Sequence, residues 1–304
     1  MQSFAIISGI LGLLALPGLW QRVRQTTLAA PWCWALASGL AVLGVAIQGA
    51  NDALLNYSAT VTTLLPAAAI YGAKRPQDRG WQWIVAALLL MLLWPAGESY
   101  FLERSFDLAA QPLRAWFLIV LLAVQGGNWI ITSNAGPVLL LTAAQVMLLW
   151  PQLPWGRGGI DTSSSLLGAA MLALVPWWLV LNLRLAKRET ADPTEVSFPS
   201  RSDIAEWKHF RAAYGVVWAL RATERINEVA VRRDWPWRWS WSGAIPHEVA
   251  ATSAASTSTA NETNDAEQAV WRQLWHNIFR RFLDPSSFPA AELAEPNQHE
   301  ANQL

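Results

Sequence analysis

The chain has 304 residues, 53% hydrophobic and only 14% charged, where a soluble domain carries about a quarter charged residues. Its formal net charge of zero hides two opposed halves: residues 1–188 hold 11 Lys and Arg against 6 Asp and Glu, whereas residues 189–304 hold 11 against 16. A basic apolar half suits loops held at an anionic leaflet. An acidic polar half argues against nucleic acid, whose binding needs clustered cations. Cys33 is the single cysteine, and His209, His247, His276 and His299 are scattered. The sequence therefore predicts no disulfide framework, no metal site and no cofactor.

The first apolar run, Phe4–Trp20, has no basic residue ahead of it, and Arg22 and Arg24 follow it. It reads as an uncleaved span with its N-terminus outside and not as a signal peptide. Further spans follow at Cys33–Ala50, Leu54–Tyr71 and Trp81–Trp94. Residues 115–150 are apolar for longer than one span needs. They are interrupted by Gln125-Gly126-Gly127-Asn128 and by Thr132-Ser133-Asn134-Ala135-Gly136-Pro137, so they divide into Ala115–Ile131 and Pro137–Trp150, as two spans or as a re-entrant hairpin. The last span, Leu166–Leu183, is uncharged and is followed at once by Arg184, Lys187 and Arg188.

Orientation follows from the connections, because Lys and Arg near span ends remain cytoplasmic. With the N-terminus outside, eight basic residues (22, 24, 74, 75, 79, 184, 187, 188) fall on the inner side and three (104, 114, 157) on the outer. Tryptophans at 20, 32, 34, 81, 83, 94, 116 and 150 sit near span ends, where an amphipathic indole finds the headgroup layer. Trp177 and Trp178 lie inside a span and read as core residues. Residues 95–114 form the longest outer connection, with the composition of a short interfacial helix.

The polar half begins with a linker, 189–202. The periodicity of Ile204, Trp207, Phe210, Tyr214, Val217, Trp218 and Val229 predicts a long helix over Asp203–Arg232. Trp235, Trp237, Trp239 and Trp241 then alternate with Pro236, Arg238, Ser240 and Ser242, the pattern of one extended strand with an aromatic face. Residues 244–265 read as a disordered insert. A second amphipathic helix is expected over Ala266–Leu283, with a disordered tail over 284–304. The three aromatic surfaces together are enough for one small core, with Trp271, Trp275 and Phe279 against Trp218 and Tyr214 and the tryptophan strand closing the side.

Three places carry possible ligand or partner contacts. The polar break contains Asn128 and Asn134, in the sort of interruption that transporters use for substrate and that ordinary turns also show. The weight falls on a packed turn at which Asn128→Ala and Asn134→Ala alter stability only modestly. Asp52 lies between spans two and three, at the outer end where it reaches water. Arg221 and Arg225 are a turn apart beside Trp218, with Glu224 and Glu228 at helix spacing. They suit an anion clamp and, better, an Arg–Glu ladder with a cation–π contact. No nucleophile, metal or nucleotide signature is present, and no catalytic residue is assigned.

The sequence thus predicts an all-α, multi-pass helical bundle of about seven spans over 1–188, in the inner membrane, with a small cytoplasmic α-rich domain over 203–283 that contains one Trp-rich strand. The expected role is a non-enzymatic scaffold or accessory subunit, with the lipid bilayer and a protein as partners. A permease or channel-like transporter is the alternative, and a lipid-active membrane enzyme the second.

Overall fold

The computed structural model describes residues 2–48, 53–74, 78–102, 112–155, 162–189, 201–246 and 260–282. It is mostly helical. The N-terminal part is built from α1 (Gln2–Val23), α2 (Ala29–Gln48), α3 (Ala53–Thr62), α4 (Leu65–Ile70), α5 (Asp78–Phe101), α6 (Pro112–Gly127), α7 (Ala135–Leu149) and α8 (Thr162–Glu189). Six helical segments, α3 and α4 counted as one, are long and apolar enough to cross a membrane, and α6 is a shorter apolar helix. The outward faces of these segments stay apolar, as with Trp83, 79% exposed, and Leu90, which is the surface of a bundle suited to hydrocarbon.

Small residues bring the helices together. A Cβ placed on Gly12 of α1 would lie 3.1 Å from the Ala173 Cα of α8, and one on Gly168 of α8 would lie 3.2 Å from the Ala144 carbonyl of α7. Backbones this close gain dispersion contacts that larger side chains would block. A leucine-rich core of Val61, Leu64, Leu92, Leu118, Leu122 and Leu149, closed by Tyr57, joins α3, α5, α6 and α7.

The third expected span is broken between α3 and α4, just before Pro66. The carbonyls freed there are met by protein: Ser38 Oγ donates to Thr62 O at 2.6 Å, and Gln145 Nε2 donates to Thr63 O at 2.9 Å. Irregular backbone within a bundle is tolerated where such partners exist. The fourth span also differs from expectation, running through Pro95 to Phe101. Its extension lets Glu98 pair with Arg114 of α6 at 2.8 Å. The proposed interfacial helix after it falls largely on residues outside those described.

The C-terminal part contains α9 (Arg201–Arg232), β1 (Trp237–Ser240), β2 (Gly243–Pro246) and α10 (Ala260–Phe279). Three expectations need correcting here. The single strand is a hairpin, with Trp237 opposite Pro246 and Ser240 opposite Gly243, so residues 244–246 are structured and not part of a disordered insert. Helix α10 begins six residues earlier than expected. Helix α9 is not continuous: Gly215 has φ 79° and ψ −172°.

Mutual packing of the aromatic faces is observed, but in a different order. The tryptophan strand lies at the centre. Trp239 stands edge-on to Trp207 of α9 at 5.8 Å and meets Trp271 and Trp275 of α10 at 5.2 and 5.3 Å. Phe279 packs on Phe210 at 4.9 Å. Tyr214 and Trp218 are met by Phe282, at 4.9 and 5.2 Å, in place of the expected Trp271 and Trp275. The reason is register: α10 pairs with α9 turn by turn, Trp271 at Asp203, Trp275 at Glu206 and Phe279 at Phe210, so that Phe282 is the residue that arrives at Tyr214 and Trp218. Asn227 fixes the hairpin to α9 by accepting from Trp239 N at 2.6 Å and donating to Trp239 O at 2.8 Å, as a neighbouring strand would. The indole N–H groups of Trp271 and Trp275 donate to Asp203 and Glu206 at 2.9 and 2.8 Å, which removes the cost of burying them. Trp177 and Trp178, expected in a core, lie instead on the partly open flank of α8, where Trp177 Nε1 donates to Leu11 O at 2.9 Å.

Candidate functional site

The two parts meet at the polar break. Helix α6 has 16 residues, roughly 24 Å at 1.5 Å per residue, short of the ~30 Å of a hydrocarbon core. The turn 128–134 completes its end of the bundle and forms a seat for α9.

The kink at Gly215 leaves α9 with an internal break, and each half exposes backbone groups that a continuous helix would pair. The seat supplies the partners. Val216 N donates to Asn128 O at 2.8 Å, and Val217 N donates to Asn128 Oδ1 at 3.1 Å. Asn128 thus caps the second half of α9, as an N-cap residue would, from a distant part of the chain. The first half is closed by donors: Asn134 Nδ2 reaches Ala212 O at 2.8 Å, and Asn128 Nδ2 reaches Tyr214 O at 3.5 Å. Asn182 of α8 orients Asn134, its Nδ2 lying 3.4 Å from Asn134 Oδ1. Asn128 is 4% exposed, so these bonds are shielded from water.

The seat is widened by two other connections at the same end of the bundle. Trp218 Nε1 donates to Ile70 O at 2.9 Å. Thr27 Oγ1 donates to Ala73 O at 2.9 Å and lies 3.2 Å from the Tyr214 hydroxyl, which donates to Phe282 O at 3.2 Å. Thr27 N also donates to Phe282 O, at 3.0 Å. Connections 24–28, 70–74 and 128–134 therefore converge on α9 and on the turn after α10.

Of the residues singled out in the sequence, Asn128, Asn134 and Trp218 meet in this seat. Arg221 lies over the Trp218 ring, 5.0 Å from its centroid. Arg225 pairs with Glu228 at 2.6 Å, and Arg232 lies 3.9 Å from the same carboxylate. Both arginines are on the exposed side of α9, as an ion-pair ladder with a cation–π contact. Asp52 lies outside the described residues. The sequence reading missed Gly215, Thr27, Phe282 and the carbonyls of Ile70 and Ala73. Gly215 alone carried a signal, because a glycine inside a helix costs about 1 kcal/mol relative to alanine and calls for a local reason.

A second polar cluster lies within the bundle. Gln145, fully buried, accepts from Gln125 Nε2 at 2.6 Å and donates to Thr63 O and Oγ1 at 2.9 and 3.1 Å. It ties α6 and α7 to the α3–α4 break. No group of three metal-ligating side chains occurs among the described residues.

No protein-family model, curated protein or solved structure matches this chain. The functional reading therefore rests on the geometry of the seat.

Proposed function

We propose that the protein is a multi-pass membrane scaffold or accessory subunit, non-enzymatic, that holds its C-terminal unit in a fixed attitude to engage a protein partner. The observation that carries this reading is the seat itself. The polar groups of the break, Asn128 and Asn134, are engaged by the backbone of α9, so the most polar interruption of the bundle works as a dock for the chain's own helix. We place that unit on the cytoplasmic side of the inner membrane, with the N-terminus outside. Support comes from Arg24 and Lys74, which belong to the connections that meet α9, and from Arg22 in the last turn of α1, because basic residues at span ends and in connections stay cytoplasmic. A reporter fused at Asn261 of the full chain is expected to read cytoplasm, and an external signal overturns the orientation.

The partner surface on this reading is the exposed side of α9. Leu220 and Val231, 58% and 61% exposed, flank Arg221 and Arg225 there. Apolar anchors beside arginines are the composition of a binding patch. Neutralisation by Arg221→Gln with Arg225→Gln, which adds no carboxylate beside Glu224 and Glu228, is expected to abolish co-purification of the partner from the native membrane while lowering the melting temperature of the full-length protein by only a few degrees, because the exposed ion pair and cation–π contact are each worth about 1 kcal/mol or less. An unchanged set of co-purifying proteins rejects this surface.

One observation favours the transporter alternative. The α3–α4 break is a discontinuous span of the kind that binds ions and substrates. Its freed carbonyls already have donors in Ser38 and Gln145, and this weighs towards the scaffold.

A further inference from the structure

The turn of the hairpin holds a charged group against the first half of α9, apart from the exposed side of the second half. Gly243, at φ 127°, brings the turn so close to α9 that a Cβ there would lie 3.3 Å from the Ile204 side chain. One helical turn further on, Trp207 Nε1 donates to Trp241 O at 3.1 Å. Trp241 is thereby fixed beside the next turn, which carries Arg211. The guanidinium carbon of Arg211 lies 4.3 Å from the centre of the Trp241 ring, and its Nη1 donates to the same carbonyl, Trp241 O. Both side chains are half-buried.

Arg211 lacks the counter-charge that such a position calls for. Its Nε is shut off from water and meets no acceptor among the described residues. No carboxylate pairs with it there either; Asp203 and Glu206, the acids of the same half-helix, accept from the Trp271 and Trp275 indoles. Burial accordingly holds the Arg211 pKa below its ordinary value. A charge taken out of water is ordinarily paired. This one is braced by a ring and a carbonyl, and the rest of its fork of donors is unspent.

We propose that Arg211, braced by Trp241, binds a phosphate-type oxyanion, free or carried on a lipid headgroup. Guanidinium donors match the oxygens of a phosphate. The indole fixes the plane of the fork in advance, so little side-chain freedom is lost on binding. The anion supplies the missing counter-charge where water is partly excluded and attraction is stronger than at an open surface. Lys208, exposed and three residues back along the helix, adds a second positive charge, which favours a dianion over a single carboxylate.

The test uses the full-length protein in a neutral detergent, in chloride buffers of matched ionic strength, with melting followed by circular dichroism. Inorganic phosphate is expected to raise the melting temperature by roughly 3 °C at saturation, and acetate by less than half as much. Short-chain phosphatidic acid, with phosphatidylcholine as its control, forms the second arm: an increment from phosphatidic acid alone assigns the site to a lipid headgroup, and one from inorganic phosphate assigns it to a free ligand. Arg211→Met removes a desolvated charge while Trp207 still holds Trp241 O, so it should fold and should lose the increment in whichever arm shows one. Arg211→Lys keeps the charge without the fork and should retain less than half. Phosphate that stabilises the parent and both variants equally acts through the solvent and overturns the proposal. A parent that responds in neither arm, or to acetate as strongly as to phosphate, overturns it too.

Discussion

Replacing Gly215 by alanine is expected to undock α9 from the bundle. The observed backbone, φ 79° with ψ −172°, lies in a region that is essentially glycine-only, and strain there costs about 1–3 kcal/mol. A Cβ at this position would also run into the Asn128 amide and lie 2.8 Å from the Asn128 backbone oxygen. Relief requires moving the turn or the helix, and either movement breaks the bonds to Val216 N and Val217 N. The combined loss is expected to exceed about 3 kcal/mol, with roughly 1 kcal/mol for each broken bond added to the strain. Asn128→Ala tests the same joint from the other side and is expected to cost roughly 2 kcal/mol, more than a packed turn alone would imply. Limited proteolysis of the full-length protein, together with its thermal melting, reads both effects. Wild-type cleavage rates and melting in Gly215→Ala would mean that the kink is not a required joint.

Trp271→Ala is expected to unfold the α9–hairpin–α10 unit while leaving the bundle helical. Trp271 is nearly fully buried, with Trp235, Trp237, Trp239 and Trp275 all within 6.0 Å ring to ring and its indole bonded to Asp203. Truncating a buried tryptophan costs about 3–5 kcal/mol, a large fraction of the 5–15 kcal/mol that holds an ordinary domain. The near-ultraviolet circular dichroism of the stacked indoles should collapse in this variant, with far-ultraviolet helicity reduced only by the share of α9 and α10. Trp83→Ala serves as the comparison, because Trp83 faces outward on α5, and it should retain the wild-type signal. If both variants keep the signal, the cluster is not the core of this unit.

The apolar spans and the aromatic helix faces were legible because burial repeats at the period of the helix, and hydrophobic periodicity survives in sequence. The positions that failed share a different cause. Gly215 is stabilised by Asn128, and the α3–α4 break by Gln145, partners 87 and 82 residues away. Local pattern cannot reveal a cap supplied from that distance. The strand Gly243–Pro246 lacks the β-branched alternation of an independent strand; it exists because β1 pairs with it. The early start of α10 runs through Asn261-Glu262-Thr263-Asn264-Asp265, which composition assigns to disorder. Once the apolar turns around Trp271 are packed, adding a polar turn no longer carries the cost of nucleation. Among the candidate site residues, Asn128, Asn134 and Trp218 were visible as polar or aromatic residues in unusual places, but their common target was visible only in three dimensions.

The hydrogen bond from Thr27 N to Phe282 O joins the first connection of the bundle to the last turn described. In chain order the three connections of the seat come first, α9 later and this closing turn after α10. All the apolar segments are therefore made while the seat is still unfilled, and the dock can be sealed only once residue 282 has been added. A polypeptide terminated early in α10 keeps all six of the long apolar helical segments yet lacks the piece that closes the seat. Assembly of the apolar helices and closure of the seat are therefore separable in time, the second waiting on the turn after α10.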